Sequence, residues 1–214
     1  LRGKPYYIGP VYPALFAAGA VLVERSWVRW PVALAMLLYG VALLPLGVPI
    51  LPPAQTADYV GRIGATAALR TNTGELGRLP QDYADMLGWE EQVTAVAAVY
   101  HRLPPAEREE AVLVAGNYGE AGALDFFGPR HGLPPAISPA GSYWFFGPGK
   151  KPGSTVVAIG PRREDLEPFF DQIEAAGRVT HPWAVAEERD LTIFLARRPR
   201  RTLQEIWPAL AGRN

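Results

Sequence analysis

Two groups of residues in this 214-residue chain have the types and spacing to do chemistry. The first is Lys4, Tyr6 and Tyr7, set in Gly3-Lys4-Pro5-Tyr6-Tyr7-Ile8-Gly9-Pro10 just ahead of a long apolar run. A cation beside two phenols at a bilayer edge can hold a lipid phosphate: the ammonium supplies charge, the hydroxyls donate hydrogen bonds, and the low dielectric strengthens each contact. The same residues also suit an aromatic belt with a snorkelling lysine. The second group is Asn117, Tyr118 and Glu120, in the glycine-punctuated stretch Gly116 to Gly122 that follows the apolar run Ala111 to Ala115. A buried strand entering a glycine turn and then a helix can present backbone N–H groups to an anion. The spacing here is G-x-x-G-x-x-G, however, not the dinucleotide fingerprint G-x-G-x-x-G, and Glu120 near the helix start would repel a phosphate. Asn117, Tyr118 and Glu120 are better suited to sugar hydroxyls, to a protein acceptor, or to completing a turn at the carboxyl end of a strand. Trp144, within Ser142-Tyr143-Trp144-Phe145-Phe146, is a further candidate. Exposed on a strand it could stack on a sugar or dip into lipid headgroups; packed in a core it would do neither.

Composition excludes several other chemistries. Cysteine is absent, so there is no disulfide framework and no thiolate metal site. His101, His131 and His181 are far apart and show no paired-ligand spacing, and no pattern points to a metal or a cofactor. Four of the 21 basic groups and one of the 21 acidic groups lie in residues 1–50, leaving 17 against 20 in the rest. A mild deficit of positive charge gives no footing for nucleic acid.

The elements that must position these residues divide into a membrane part and a domain. From Tyr6 to Val23, and again from Trp30 to Ile50, no side chain is ionisable apart from tyrosine. Each run approaches the roughly 20 residues that an α-helix needs to cross a bilayer. Neither shows a polar stripe, and both carry prolines and glycines that membrane helices tolerate better than soluble ones. Residues 1–50 therefore read as a transmembrane hairpin, with a buried helical hairpin of a soluble core as the competing reading. Arg25 and Arg29 in the connecting turn favour a cytoplasmic turn, which places everything after Ile50 outside, although Arg2 and Lys4 pull the other way. The chain opens a few residues before an apolar run, without a signal-peptide pattern, which reads as a piece with further membrane helices upstream.

Residues 51–80 read as a linker with a helix capped by Thr56, and 81–214 as an α/β layered domain with a mostly parallel sheet and an antiparallel edge hairpin. Trp89, Val93, Val96, Ala97 and Tyr100 form one helical face. Glu107 to Glu110 read as a solvated surface. Ala111 to Ala115 and Thr155 to Ile159 predict strands, and a short strand is expected near Ala136 to Ser138. Leu166, Phe169, Phe170 and Ile173 give a helical stripe with Gly177 past its end. Strands at Arg178 to Val185 and Leu191 to Ala196 are joined by the acidic turn Glu187 to Asp190, and Thr202 to Glu205 form a capping box for a last helix. No serine nucleophile with a base, and no carboxylate pair with assignable roles, stands out.

Several stretches carry a family resemblance. Lys4-Pro5-Tyr6-Tyr7-Ile8-Gly9-Pro10-Val11-Tyr12-Pro13 and the small-residue-rich run after it resemble the late membrane region of bacterial glycosyltransferases similar to dolichyl-phosphate-mannose protein mannosyltransferases. Leu79-Pro80-Gln81, Gly88-Trp89-Glu90-Glu91, Gly116 to Gly122 and Gly128 to Ala136 resemble the extramembrane C-terminal domain of that group, so the likeness extends over nearly the whole chain. His181-Pro182-Trp183-Ala184-Val185 departs from the more polar strand expected there. The resemblance implies a multi-span enzyme of the cell membrane that moves a sugar from a polyprenyl-phosphate carrier to an extracytoplasmic protein or glycan acceptor. It implies a catalytic acid in a first external loop that this chain lacks, hence no turnover by the chain alone. A noncatalytic membrane-anchored module that binds a partner protein or glycan is the alternative.

Overall fold

The computed structural model describes residues 5–71 and 74–211, with side chains from Ile8 onward. The chain divides into two compact units, Leu1–Asp85 and Met86–Asn214.

In the first unit a 3-10 segment, Pro5–Val11, leads into α1 (Tyr12–Val23), followed by α2 (Arg29–Gly47), α3 (Pro53–Arg62) and α4 (Gln81–Ala84). Pro10 and Pro13 explain the late start of α1. Each lacks an N–H, and the ring of Pro13 clashes with a helical carbonyl four residues earlier, so regular α-helix begins only beside it. Among the described residues one helix, α2, is long and apolar enough to cross a membrane, and the run Ile8–Val23 is a shorter apolar helix. At 1.5 Å per residue the 19 residues of α2 span about 28 Å, close to the thickness of a hydrocarbon core. Trp30, Leu34, Leu37, Leu38, Val41 and Leu44 all stand exposed along it. Arg29 donates to the Glu24 carbonyl at 2.7 Å and closes the turn between α1 and α2. α3 starts at Pro53 with Pro52 as its cap; Thr56 lies inside the helix, buried, and its hydroxyl donates to the Leu51 carbonyl at 3.2 Å. The expected Thr56 cap gives way because proline is already preorganised for the first helical turn.

The second unit is a mixed α/β layer. Its elements are α5 (Trp89–His101), α6 (Pro105–Glu110), β1 (Val112–Ala115), α7 (Tyr118–Phe127), β2 (Ala136–Ile137), β3 (Thr155–Ile159), α8 (Arg163–Leu166), β4 (Phe170–Thr180), β5 (Asp190–Pro199) and α9 (Leu203–Ile206). The described residues form one five-stranded sheet in the order β2-β1-β3-β5-β4. β1 pairs parallel with β2 and β3, while β5 is antiparallel to both of its neighbours. Four strands thus run one way and β5 alone runs against them. Alternation along the strands feeds two cores. Leu113, Ala115, Val157, Ile159 and Ile193 pack with the Val93 and Val96 stripe of α5 and with Leu124 of α7. Val112, Val156, Ala158 and Ala196 pack with Phe170, Leu203 and Ile206. β3 is buried along its whole length, as expected of a central strand with both faces covered.

Three further sequence expectations are corrected. The stripe Leu166-Phe169-Phe170-Ile173 is one helical turn followed by strand: α8 ends at Leu166, and β4 then pairs with β5 from Phe170 to Thr180. The helix-like spacing arises because the turn and the strand point these residues to one core. Cross-strand pairing outweighs the helix propensity of Asp171 to Ala176. Residues 142–146 form a 3-10 helix, Gly141–Phe146, not a strand. The Tyr143 hydroxyl donates to Asp125 on α7 at 3.0 Å, and Trp144 and Trp207 each donate an indole N–H to the other's carbonyl at 3.0 Å. Glu107 is half-buried: Thr155 donates to it at 2.9 Å, Arg197 pairs with it, and that guanidinium holds its carboxyl below the usual range.

Leu113 is fully buried between α5 and α7. Leu113→Ala should cost about 3 kcal/mol of stability in the α/β unit, as expected for a Leu truncation in a packed core, read from the urea dependence of tryptophan fluorescence.

Candidate functional site

The sheet topology places a crevice before any side chain is considered. From β1 the chain leaves through α7 toward β2; from β3 it leaves through α8 toward the opposite edge. Adjacent parallel strands whose connections diverge leave an opening at their carboxyl ends, where open α/β sheets bind ligands. A cavity of about 380 Å³ occupies this position. Its walls are mostly apolar, including Val114, Val156, Phe170, Leu203 and Ile206, and Asn117, Glu120 and Glu188 lie on its lining.

Asn117 and Glu120 reach the cavity because the first turn of α7 follows β1 directly. Asn117 is the N-cap of α7: its side-chain oxygen accepts the Glu120 N–H at 2.9 Å. Glu120 completes the capping box, and its Oε2 accepts the N–H groups of Gly116 at 2.7 Å and Asn117 at 3.1 Å. Glu120 is only 2% exposed. Room for it comes from Gly160, just past β3, whose φ of +90° favours glycine; a Cβ there would lie 2.1 Å from Glu120 Oε2. Gly116 and Gly160 also approach each other closely, since a Cβ on Gly116 would come within 2.9 Å of the Gly160 carbonyl carbon.

Glu188 comes from the connection between β4 and β5, turned inward and buried. Asn117 Nδ2 donates to its Oε1 at 2.7 Å, and Gln92 Nε2, from the first turn of α5, donates to its Oε2 at 2.9 Å. Four polar side chains from three parts of the chain thereby form one buried network. Burial first, and then the charge of Glu188, push the Glu120 carboxyl up to about 8, overriding the two backbone N–H donors. Burial also raises Glu188, against the donation from Asn117, Gln92 and Glu120. Burial thus raises both carboxyl groups, and the pair retains a proton to higher pH than a free carboxyl would.

This arrangement is unsuited to phosphate. The N–H groups that would cradle an anion are engaged by Glu120, and the network retains negative charge. Paired carboxyl groups at the polar end of an apolar cavity suit hydroxyl or amine donors instead. Among the described residues no group of His, Asp or Glu is placed to hold a metal ion.

The sequence-selected residues are dispersed. Asn117 and Glu120 come together in the crevice. Tyr118 is 66% exposed and lies against Gly141, outside the cavity lining. Trp144 is half-buried against Trp207 and is also outside that lining. Lys4 lies outside the described residues; Tyr6 and Tyr7 fall in the 3-10 segment, and their side chains lie outside the description. Sequence reasoning missed Glu188 and Gln92. Glu188 stands in a run of charges that reads as a solvated turn, and Gln92 is a single polar position on an apolar helical face; nothing local marks either one.

Comparisons with protein-family models, with curated proteins and with solved structures find no match to this chain.

Because the folded state raises the Glu120 carboxyl, its contribution to stability is complete below the unfolded value of 4.5 and is lost as pH rises through about 8. Glu188 acts with the same sign. Unfolding midpoints should fall across that interval, and Glu120→Gln, which keeps both a donor and an acceptor, should flatten the profile. Gly160→Ala should destabilise the unit by ~2 kcal/mol or more, since it combines an unfavourable φ with displacement of a buried carboxyl; denaturant melts read the loss.

Proposed function

We propose that this chain is the C-terminal portion of a membrane glycosyltransferase that passes a sugar from a polyprenyl-phosphate carrier to an extracytoplasmic acceptor. In this reading residues 1–50 form two membrane spans, α2 the full-length one, and residues after 50 lie outside the cell membrane. The observation that carries the reading is that the Gly116 to Gly122 stretch, part of the family resemblance, supplies the Asn117 and Glu120 end of the crevice. Carboxyl groups there suit sugar hydroxyls, while the carrier phosphate is left to the Lys4, Tyr6 and Tyr7 cluster. The exposed apolar side chains of α2 support the membrane assignment, because a helix with apolar groups on every side has no stable place in water. The chain contributes carrier and acceptor recognition, and the catalytic acid belongs to the upstream part of the enzyme.

The alternative, a noncatalytic anchored module, is separated by one titration. Reconstituted in lipid nanodiscs, the chain should bind a short polyprenyl-phosphate-linked hexose saturably, and Lys4→Met should weaken that binding by about tenfold, or ~1.4 kcal/mol. Absence of saturable binding by the unsubstituted chain would leave only the module.

A further inference from the structure

The α/β unit carries an exposed aromatic patch that the crevice does not use. Phe145 and Phe146, in the 3-10 helix Gly141–Phe146, are 79% and 80% exposed. The patch is built onto the fold. Phe146 stacks edge-on to Tyr143, whose hydroxyl is fixed by Asp125, and Phe145 stacks edge-on to Trp144, which is pinned by its reciprocal bonds with Trp207. Rigid backing of this kind holds two phenyl rings in the solvent, where they gain nothing from the unit's own core. The segment then continues through Gly147-Pro148-Gly149 to Lys150, which is exposed, and to Lys151, which is tied to the carbonyls of Glu109 and Ala111.

We infer that Phe145 and Phe146, followed along the chain by the exposed Lys150, form a wedge that seats the α/β unit on the surface of an anionic lipid bilayer. This inference rests on the membrane anchoring proposed above. The occupant follows from that tether and from chemistry: residues 48–85 connect the unit to a helix of bilayer length, so a lipid surface is present at high local concentration. Exposed apolar rings a few residues ahead of an exposed cation match the boundary between acyl chains and anionic headgroups. Asp125, the partner of Tyr143 behind Phe146, accepts the Tyr143 hydroxyl and the Ala136 N–H, so its carboxylate is engaged within the fold. The wedge lies next to edge strand β2, and β4 forms the opposite edge of the sheet, so one side of the unit would face lipid and the other water.

Because the chain contains no cysteine, a single introduced thiol can be labelled without interference. Phe146→Cys, Phe145→Cys, Gln172→Cys on β4 and Leu37→Cys on α2 would each carry a bimane label in the full chain, in nanodiscs of anionic lipid with or without brominated acyl chains. Quenching by brominated lipid should be severalfold stronger at 145 and 146 than at 172, with 37 quenched as well. If 37 is quenched and neither 145 nor 146 is, the wedge is overturned and the anchor stands. If 37 is not quenched, the anchor falls and the wedge with it. Labels at 145 and 146 that are shielded from aqueous iodide yet untouched by brominated lipid would mean that protein covers the patch, which also overturns the inference.

Discussion

Placing the Glu120 carboxyl in the gap between the ends of β1 and β3 is the constraint on which the α/β unit depends. A carboxylate alone in that gap would carry a large desolvation cost, and three features together make the site tolerable: two backbone N–H donors, a shared proton, and the Asn117 and Gln92 amides on Glu188. Each requires a particular backbone arrangement. The N–H donors exist because α7 begins immediately after β1. The proton is retained because the loop between β4 and β5 brings a second carboxyl into the same dry space. The gap is open because residues 116 and 160 have no side chains. The capping box of α7, the start of α5 and the β4–β5 connection are therefore locked into one polar network at the carboxyl end of the parallel strands.

That network also determines which ligand chemistry the crevice can accept. A glycine turn between a strand and a helix ordinarily reads as an anion cradle, yet here the helix's own third residue fills the cradle. What remains is an apolar cavity with hydrogen-bonding carboxyl groups at one end, a combination matched to a neutral or cationic polar head on an apolar body. The unit's other conspicuous surface, the aromatic wedge, is chemically separate from this crevice and is held by bonds of its own from α7 and Trp207.

Much of the α/β unit was legible in the chain because its signals are local and redundant. The Trp89 to Tyr100 stripe, the β-branched run Thr155 to Ile159 and the Thr202 to Glu205 capping box each state their element within a few residues, and each has the expected form. The Leu166 to Ile173 stripe misleads for an equally physical reason. A turn of helix leading into an edge strand can present the same residues to one core that a continuous helix would, and only pairing with β5 decides between them. Ser142 to Phe146 misleads similarly, since aromatic runs favour strands until Tyr143 and Trp144 find partners on α7 and beside α9.

By itself the sequence determined the quantities that depend on neighbours along the chain. These are the apolar runs near the N-terminus, the alternation of helices and strands after residue 81, and the placement of Asn117 and Glu120 at a strand-to-helix turn. Tertiary structure alone decided that burial would raise the Glu120 carboxyl, that Glu188 and Gln92 would join it from segments far away in sequence, and that Phe145 and Phe146 would stay in solvent while Trp144 turned inward. Burial, proton affinity and exposure depend on which distant segments close over a residue, and spacing along the chain does not encode that.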